Sequence, residues 1–550
     1  DSLKDYFPGD DRFGIYIGKR NTEGGPRSWS LEQNSFRIVA GVKGLINRNW
    51  DYDASYLQAQ TSATDTSSND LFAPKIFTAV NSELCAATAG CIPYEVFTYQ
   101  GVTTEQADTL DGTAINHTDT SISVFNAYVT GDTDWGLTAG NVMAVFGYEW
   151  REHVFEGKSD EIYEQGALMG MGGPWPSVAG SYRVNELFTE FNIPLLADRS
   201  WARQMTLDLA YRWSDYTNSG STSTFRLGLD WQIVDALRIR TGYNRAVRAP
   251  NINELFFPQT EGLWDGVDPC STEIPVYSLE QCARTGVAAD QYGKILESPA
   301  FQYNALYGGN PDLKTEKADT TTFGIVVDAS DTMRFSVDYW DIKIEDVISE
   351  IAPQLVIEQC AEFGSLCEAI ERSGNGSLWQ GTGYVAATNL NLGEQHWRGI
   401  DTAWAWQLGD HWNFDLIGTY TLKKETTPIP NDPDSSYDCV GIASPACFWS
   451  AEWRHTFTAT YDSNSSWALT GRWRFYSEVE WVWPFETYVD GISATSYLDV
   501  NAVFRIMESH DLILGMNNVL DEEPPLISTG GNGFYEPLGR YLYARATFRW

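Results

Sequence analysis

The fold is decided by the stretch from Ala236 to Phe256, which reads ALRIRTGYNRAVRAPNINELF. Its first half alternates as a β-strand does, with one apolar face (Leu237, Ile239, Thr241, Tyr243) and one polar face (Arg238, Arg240, Asn244). Pro250 cannot donate to a strand ladder and ends the strand. Such a strand suits a wall with lipid outside and water inside, and it also suits a soluble β-sandwich. One strand leaves both interpretations open.

Composition favours a membrane-spanning β-structure. Aromatic residues make up 14% of the 550 residues, with 22 Trp and 28 Tyr, yet no stretch approaches the roughly 18 apolar residues that a membrane helix needs. The chain therefore either avoids the membrane or crosses it as strands. Aromatic abundance with a negative mean hydropathy is typical of an outer-membrane barrel, whose interfaces are rich in Trp and Tyr. A soluble aromatic-rich lectin or propeller is the alternative.

The charge excludes one class of partner. Asp and Glu number 74 against 37 Lys and Arg, a net charge of −37, whereas nucleic-acid binding needs clustered Lys and Arg. Acidity distributed through loops indicates solubility, or loops that bind divalent cations between themselves and lipopolysaccharide. We expect no nucleic-acid partner.

Alternating segments repeat along the chain and predict about eighteen strands. A first strand is predicted over Phe13–Lys19 and a final one over Tyr541–Trp550, whose Leu542, Ala544, Ala546, Phe548 and Trp550 share one face. Between them we predict hairpins of 36–45 with 50–61, 119–131 with 141–155, 183–193 with 201–216, 221–234 with 236–248, 317–328 with 333–345, 384–408 with 412–425, 452–462 with 466–478, and 495–506 with 511–519. The turn of the third hairpin is placed at 193–198. Short turns and long loops alternate along the chain. This alternation predicts short turns in the periplasm and long loops outside the cell.

The cysteines support this topology. All eight fall in close pairs within the long connections, Cys85 with Cys91, Cys270 with Cys282, Cys360 with Cys367, and Cys439 with Cys447. An even count in local pairs predicts four disulfides formed in an oxidising compartment. Their spacing is wrong for a zinc site.

Three phrases resemble the TonB-dependent outer-membrane receptors. They are YNRAVRAPNINELF from Tyr243 to Phe256, GNPDLKTE from Gly309 to Glu316, and NNVLD from Asn517 to Asp521 with Pro524 after it. They stand in the family's order, and the resemblance spans essentially the whole chain. The aromatic Trp550 at the end also resembles the family's terminal assembly signal.

The resemblance implies an all-β, transmembrane antiparallel β-barrel of 22 strands, of which this chain supplies about 18. It also implies a globular plug before the barrel and a segment that contacts TonB. Residues 1–550 are accordingly expected to form the C-terminal, barrel portion of a receptor, with the plug and first strands elsewhere or in a separate N-terminal chain. An independent 18-stranded barrel is the alternative.

Catalytic patterns are absent from the sequence. The six histidines are scattered, and no zinc-protease, nucleophile-elbow, Walker A or EF-hand pattern occurs, so we expect no enzyme, no cofactor and no metal site. Gly170–Gly173 is expected to be a flexible loop. Asp432, Asp434 and Asp438 lack EF-hand spacing.

Two groups of residues are the candidates for binding. Glu149, Arg151, Glu186, Glu190, Arg238 and Arg240 are predicted to face the lumen, where the resemblance implies contacts to the plug. Aromatic residues of the long loops are predicted to stack on a ligand, together with one neighbouring carboxylate: Trp264, Asp265, Trp379, Phe448 and Trp449.

The resemblance implies TonB-dependent import of a scarce nutrient, such as siderophore-bound iron, an oligosaccharide or cobalamin, across the outer membrane of a Gram-negative bacterium. The expected partners are TonB, the plug, outer-membrane lipid, lipopolysaccharide and a small-molecule nutrient. Acidity argues against a strongly anionic ferric siderophore. A passive porin is the first alternative function and a secreted lectin the second.

Overall fold

One antiparallel sheet dominates the computed structural model, which describes residues 21–96, 98–171, 173–429, 435–444, 446–482, 491–507, 510–525 and 535–548. In these residues the sheet has eighteen strands, seventeen of them long and one, Tyr437–Asp438, of two residues. The long strands in chain order are β1 Ser28–Leu45, β2 Trp50–Leu71, β3 Asp111–Leu137, β4 Gly140–Ser159, β5 Val178–Arg199, β6 Ala202–Tyr216, β7 Gly220–Val234, β8 Leu237–Arg248, β9 Glu316–Ser330, β10 Met333–Glu350, β11 Asn389–Leu408, β12 Trp412–Thr427, β13 Trp453–Asp462, β14 Trp467–Tyr476, β15 Thr495–Met507, β16 His510–Asn517 and β17 Tyr541–Phe548.

Each long strand pairs antiparallel with the next long strand in the chain, from β1 to β17. This is the up-and-down order of a transmembrane barrel, so the predicted fold class is confirmed. Every predicted hairpin is present. The predicted strand 13–19 and the terminal Trp550 lie outside the described residues.

Two consecutive residues of β8, with their cross-strand neighbours, show why the sheet can separate lipid from water. Ile239 lies between Trp231 of β7 and Ile325 of β9, which makes an apolar row. Arg240, one residue on, lies between Asp230 and Gly324. Because cross-strand partners share a face, the apolar row is the outer face of the wall and the charged row faces the lumen.

Three predicted boundaries were wrong. The segment 193–198 is not a turn, because β5 continues to Arg199 and a register shift between Pro194 and Leu196 accommodates the proline. The predicted strand 384–408 is two strands, since Tyr384–Ala386 joins a loop sheet and only Asn389–Leu408 joins the wall. The connection 217–219 between β6 and β7 is short, although it lies on the side of the long loops. Short and long connections therefore do not alternate strictly.

The long loops fold into small bodies with helices of their own. The helices are Ala73–Ala79, Ser82–Ala87, Thr104–Leu110, Glu161–Glu164, Ile252–Phe256, Leu279–Arg284 and Pro353–Phe363, with a 3₁₀ turn at Cys367–Ala369. No helix in the described part of the chain combines the length and apolarity needed to span a bilayer. All four predicted disulfides are present in these loops, with S–S distances of 2.01–2.08 Å.

Loops 249–315 and 351–388 share one hydrophobic core, and we call them together the double-loop cap. Their strands form a four-stranded sheet, in the order Ile370–Glu371, Tyr384–Ala386, Gln302–Tyr307 and Thr260–Asp265. Loops 428–452 and 477–494 likewise share a sheet, in the order Phe448–Ser450, Ile442–Ser444, Val479–Trp481 and Gly491–Ile492.

A buried ion pair joins the parts of the double-loop cap. The Arg372 guanidinium donates to both carboxylate oxygens of Asp268, at 2.6 and 2.9 Å, and these side chains are only 2% and 1% exposed. The same guanidinium donates to the carbonyl oxygens of Thr285 and Gly376, each at 2.9 Å. Removing one partner of such a pair leaves an uncompensated buried charge.

Replacing Arg372 by Met should therefore unfold the cap locally. We expect the cap to lose about 3–5 kcal/mol of local stability, because the Asp268 carboxylate is left buried without a cation. Hydrogen–deuterium exchange measures this loss as faster exchange in residues 260–307 and 370–386.

Arg203→Met is the matched control. Its pair with Asp235 is exposed, so its loss should leave exchange in the cap unchanged. If Arg372→Met left exchange in the cap unchanged, or accelerated it equally in β5–β8, the cap would not be a separately stabilised body.

Candidate functional site

Two of the sequence phrases that resemble the receptor family, Tyr243–Phe256 and Gly309–Glu316, meet at the base of the double-loop cap. Arg248, the last residue of β8, donates to both oxygens of Glu316 at 2.7 Å and to Glu254 at 3.0 Å. Glu316 also accepts from the backbone N–H of Ile348 at 2.8 Å. Glu254 completes a capping box with Asn251, which begins the helix Ile252–Phe256. These contacts fix the points where the cap leaves the wall.

Close packing completes this base. The backbone N–H of Asn310 donates to the carbonyl oxygen of Glu254 at 2.8 Å, and Leu313 packs with Leu255 and Ile348. A Cβ on Gly309 would lie 2.8 Å from the backbone of the helix Ile252–Phe256, so only glycine fits there.

The third phrase, Asn517–Asp521, likewise fixes a loop to the wall. Asn518 is fully buried; its backbone N–H donates to Asp499 at 2.9 Å, and its side chain bonds the backbone of Glu522. Asp499 in turn accepts from Arg474. This network fixes the start of the last loop, 518–540, against the wall.

Most of the lumen charges predicted from the sequence are paired within the wall. Glu186 is 4% exposed and accepts from Arg212 at 3.0 Å and Ser214 at 2.6 Å, with Arg151 at 3.8 Å. Arg151 also pairs with Glu149 at 3.3 Å. These charges stabilise neighbouring strands.

The two predicted arginines of β8 are also paired. Arg240 forms a bidentate pair with Asp338 at 2.6 and 2.7 Å, and Arg238 forms one with Asp230. Glu190 differs from the other candidates, because no ion pair to it occurs among the described residues. It lines a lumen cavity of about 420 Å³ together with Arg226, which also has no ion pair in the described part of the chain.

The loop candidates separate into buried and accessible residues. Trp264 is 6% exposed in the core of the double-loop cap, so its ring is not an open stacking surface, and Trp379 packs against the same core. Asp265 is exposed and accepts from Gln302 at 3.1 Å. Phe448 is 70% exposed, whereas Trp449 is 7% exposed and meets Tyr535 edge to face at 4.9 Å. The structure does not bring these five residues into one site.

Trp449 lines a cavity of about 240 Å³ where the wall meets the loops, which we call the aromatic cavity. Its walls carry five rings, those of Trp340, Trp397, Trp449, Tyr476 and Tyr535. Three cationic side chains also line it: Lys423, Lys424 and Arg454. Burial raises the pKa of the Tyr535 hydroxyl above its ordinary value. The cavity can therefore present flat apolar surfaces and positive charge to one small molecule.

Local sequence explains how the aromatic cavity is shaped. Trp340 and Gly399 are cross-strand neighbours, and a Cβ on Gly399 would lie 2.3 Å from the Trp340 ring. Trp397 faces Lys424 across β11 and β12, and the Lys424 ammonium lies 5.9 Å from the Trp397 ring centroid. The backbone N–H of Cys439 donates to the Lys424 carbonyl oxygen at 3.0 Å, so the disulfide-bridged loop that carries Trp449 is fixed to the same strand.

The aromatic cavity adjoins the barrel lumen. Trp340 and Trp397 also line a second cavity of about 680 Å³, which contains Arg238, Arg240 and Asp401. That cavity shares Arg226 and Asn244 with the cavity around Glu190. The three cavities are therefore neighbours along the inner wall. No group of three or more His, Cys, Asp or Glu side chains in the described residues is placed to hold a metal ion.

Most residues of the aromatic cavity were not predicted from the sequence. Trp340 has the same strand parity as Asp338 and therefore faces the lumen, a signal that was available in the sequence. The doublet Lys423–Lys424 also stands out in an acidic chain. Tyr476, Arg454 and Tyr535 come from three separate segments, and only the fold brings them together.

Comparison with known proteins gives one family. A family model described as TonB dependent receptor-like, beta-barrel matches residues 2–519. Among solved structures, the chain is similar to a mutant of the ferric enterobactin receptor PfeA of Pseudomonas aeruginosa, with 13% identity, 95% of this chain and 79% of that chain covered, and a TM-score of 0.53.

Two further structures have the same fold. The siderophore receptor PirA of Acinetobacter baumannii matches with 14% identity and a TM-score of 0.52. The match covers 94% of this chain and 78% of the PirA chain. The copper transporter OprC matches with 13% identity and a TM-score of 0.52. The match covers 94% of this chain and 65% of the OprC chain. No curated protein sequence matches the chain significantly.

Replacing Gly399 by Ala should distort the aromatic cavity without removing any polar group. The new methyl group would overlap the Trp340 ring, and we expect a loss of about 1–3 kcal/mol together with a changed near-UV circular dichroism spectrum. The thermal unfolding midpoint in detergent measures the stability change.

Gly471→Ala in β14 is the control, because nothing lies within 4 Å of a Cβ there. It should leave both readouts unchanged. Equal effects of the two substitutions would show that the close approach of Trp340 to Gly399 does not shape the cavity.

Proposed function

Because this chain belongs to the TonB-dependent receptor-like β-barrel family, we propose that it forms the wall and ligand-binding loops of a receptor that imports a small nutrient across the outer membrane of a Gram-negative bacterium. One observation supports this most: the aromatic cavity lies between the loops and the lumen and adjoins the cavities along the inner wall. A ligand bound there is already on the route inward.

The receptor would act by binding and translocation, without chemical change of the ligand. The loops bind the nutrient, and a plug within the lumen moves when TonB transmits energy from the inner membrane. Glu190 and Arg226, which have no ion pair among the described residues, are the lumen groups that we propose for plug contacts, because the other candidate charges have partners in the wall. An unpaired charge gains more from a new partner than a paired one does.

Siderophore-bound iron is our first candidate nutrient. The similar structures include receptors described as ferric enterobactin and siderophore receptors, and the rings and cations of the aromatic cavity suit such ligands. A passive porin remains the rival function. A secreted lectin gains no support, since the family model covers nearly all of the wall.

Energy dependence separates active import from the porin. In cells that express the receptor and lack their own siderophore receptors, we expect uptake of iron-55 bound to a catecholate siderophore, and we expect a protonophore to abolish that uptake. The physical reason is that a plug blocks diffusion until TonB moves it.

The variant Thr421→Trp provides the control, because a large ring at this position fills the aromatic cavity from its β12 wall. It should reduce uptake at least about tenfold while the receptor still reaches the membrane. Uptake that persists with the protonophore and with the blocked cavity would identify a porin and overturn the proposal.

A further inference from the structure

The aromatic cavity also indicates a chemical class of ligand. We propose that it binds one planar aromatic ring that carries a negative charge, such as an aryl carboxylate. This inference rests on the proposed function, since it specifies what the ligand of that site presents to the wall. It follows from three properties of the cavity, its charge, its surfaces and its size.

The charge of the aromatic cavity is opposite to that of the chain. The chain has a net charge of −37, yet the residues that line the cavity include three cations and no carboxylate. Lys423 is paired with Glu425 at 2.7 Å. Lys424 and Arg454 have no carboxylate within 4 Å among the described residues. The half-buried Lys424 and the exposed Arg454, which both line the cavity, favour an anion between them.

The surfaces of the cavity select a flat ligand. Five aromatic rings come from both the wall and the loops, so a planar ring can stack on one of them and meet others edge on. The indole N–H of Trp397 is buried and has no acceptor in the described part of the chain. A buried donor without a partner favours a ligand that brings an acceptor atom. Anionic oxygens attached to a ring satisfy both the cations and this donor.

The size of the cavity limits the ligand to about one ring. A cavity of roughly 150 Å³ accommodates benzene, and the aromatic cavity measures about 240 Å³. One ring with two or three substituents therefore fills it. A larger nutrient would place a single anionic ring here and its remaining bulk in the adjoining lumen cavity of about 680 Å³, which shares Trp340 and Trp397. This proposal differs from the expectation, drawn from overall acidity, that strongly anionic ligands are disfavoured.

Binding of three small probes to the purified receptor in detergent tests the inference. The probes are 2,3-dihydroxybenzoate, its uncharged amide, and cyclohexanecarboxylate, which is an anion without an aromatic ring. Titration calorimetry at 0.1 M salt gives the dissociation constants. We expect the benzoate to bind at least about tenfold more tightly than either of the others, as charge-assisted bonds and stacking both contribute.

The double variant Lys424→Met, Arg454→Met should abolish the preference for the benzoate over the amide. Arg203→Met is the matched control, because the Arg203–Asp235 pair is exposed and Arg203 does not line the aromatic cavity, and it should change the preference less than about twofold. The thermal unfolding midpoint of each variant shows whether it is folded. A folded double variant that retains the preference, or a wild-type receptor that binds the amide as tightly as the benzoate, overturns the inference.

The proposed function can fail separately. If energy-dependent uptake occurs while the amide and the benzoate bind equally, import stands and the ligand class is wrong. If the benzoate is preferred through Lys424 and Arg454 while uptake ignores the protonophore, the ligand class stands and active import is wrong.

Discussion

The need to satisfy every backbone N–H and C=O group within hydrocarbon controls this structure. No water is available there, so a spanning strand must form its hydrogen bonds with strands on both sides. The ladder from β2 to β16 meets that requirement strand by strand. Because the ladder fixes the register, each residue is assigned to lipid or to lumen by its parity alone, as Ile239 and Arg240 show.

The same constraint explains how charge is distributed. Charges of the inner face lie beside one another in a fixed register, so they form pairs such as Arg240 with Asp338 and Arg212 with Glu186. Pairing leaves few of these groups available for other partners. Among the described residues, Lys424 and Arg454 have no carboxylate partner, and they lie where the regular ladder ends and the loops begin. The net charge of the chain therefore says little about the charge that a ligand meets, because that charge depends on a few local side chains.

The sequence was sufficient for the parts of the structure that depend on local patterns. Two-residue alternation identified the strands, and cysteine spacing identified the disulfides, because both features arise from residues close together in the chain. The residues of the aromatic cavity could not be assembled in this way, since Trp340, Trp449 and Tyr535 lie far apart in sequence. The burial of Trp264 was equally hidden, because its neighbours Tyr303 and Val385 come from two different loops that share one sheet.

The central claim is that the two faces of each wall strand meet different solvents, and labelling of adjacent positions tests it most directly. All eight native cysteines are in disulfides, so Thr322→Cys and Phe323→Cys would each introduce a single free thiol. With each variant in outer membranes, we expect a charged, water-soluble maleimide to label residue 322. At residue 323 we expect little labelling by that reagent, and strong quenching by brominated lipid of a fluorophore attached before reconstitution. Equal labelling and equal quenching at the two positions would contradict a wall with lipid on one side and water on the other.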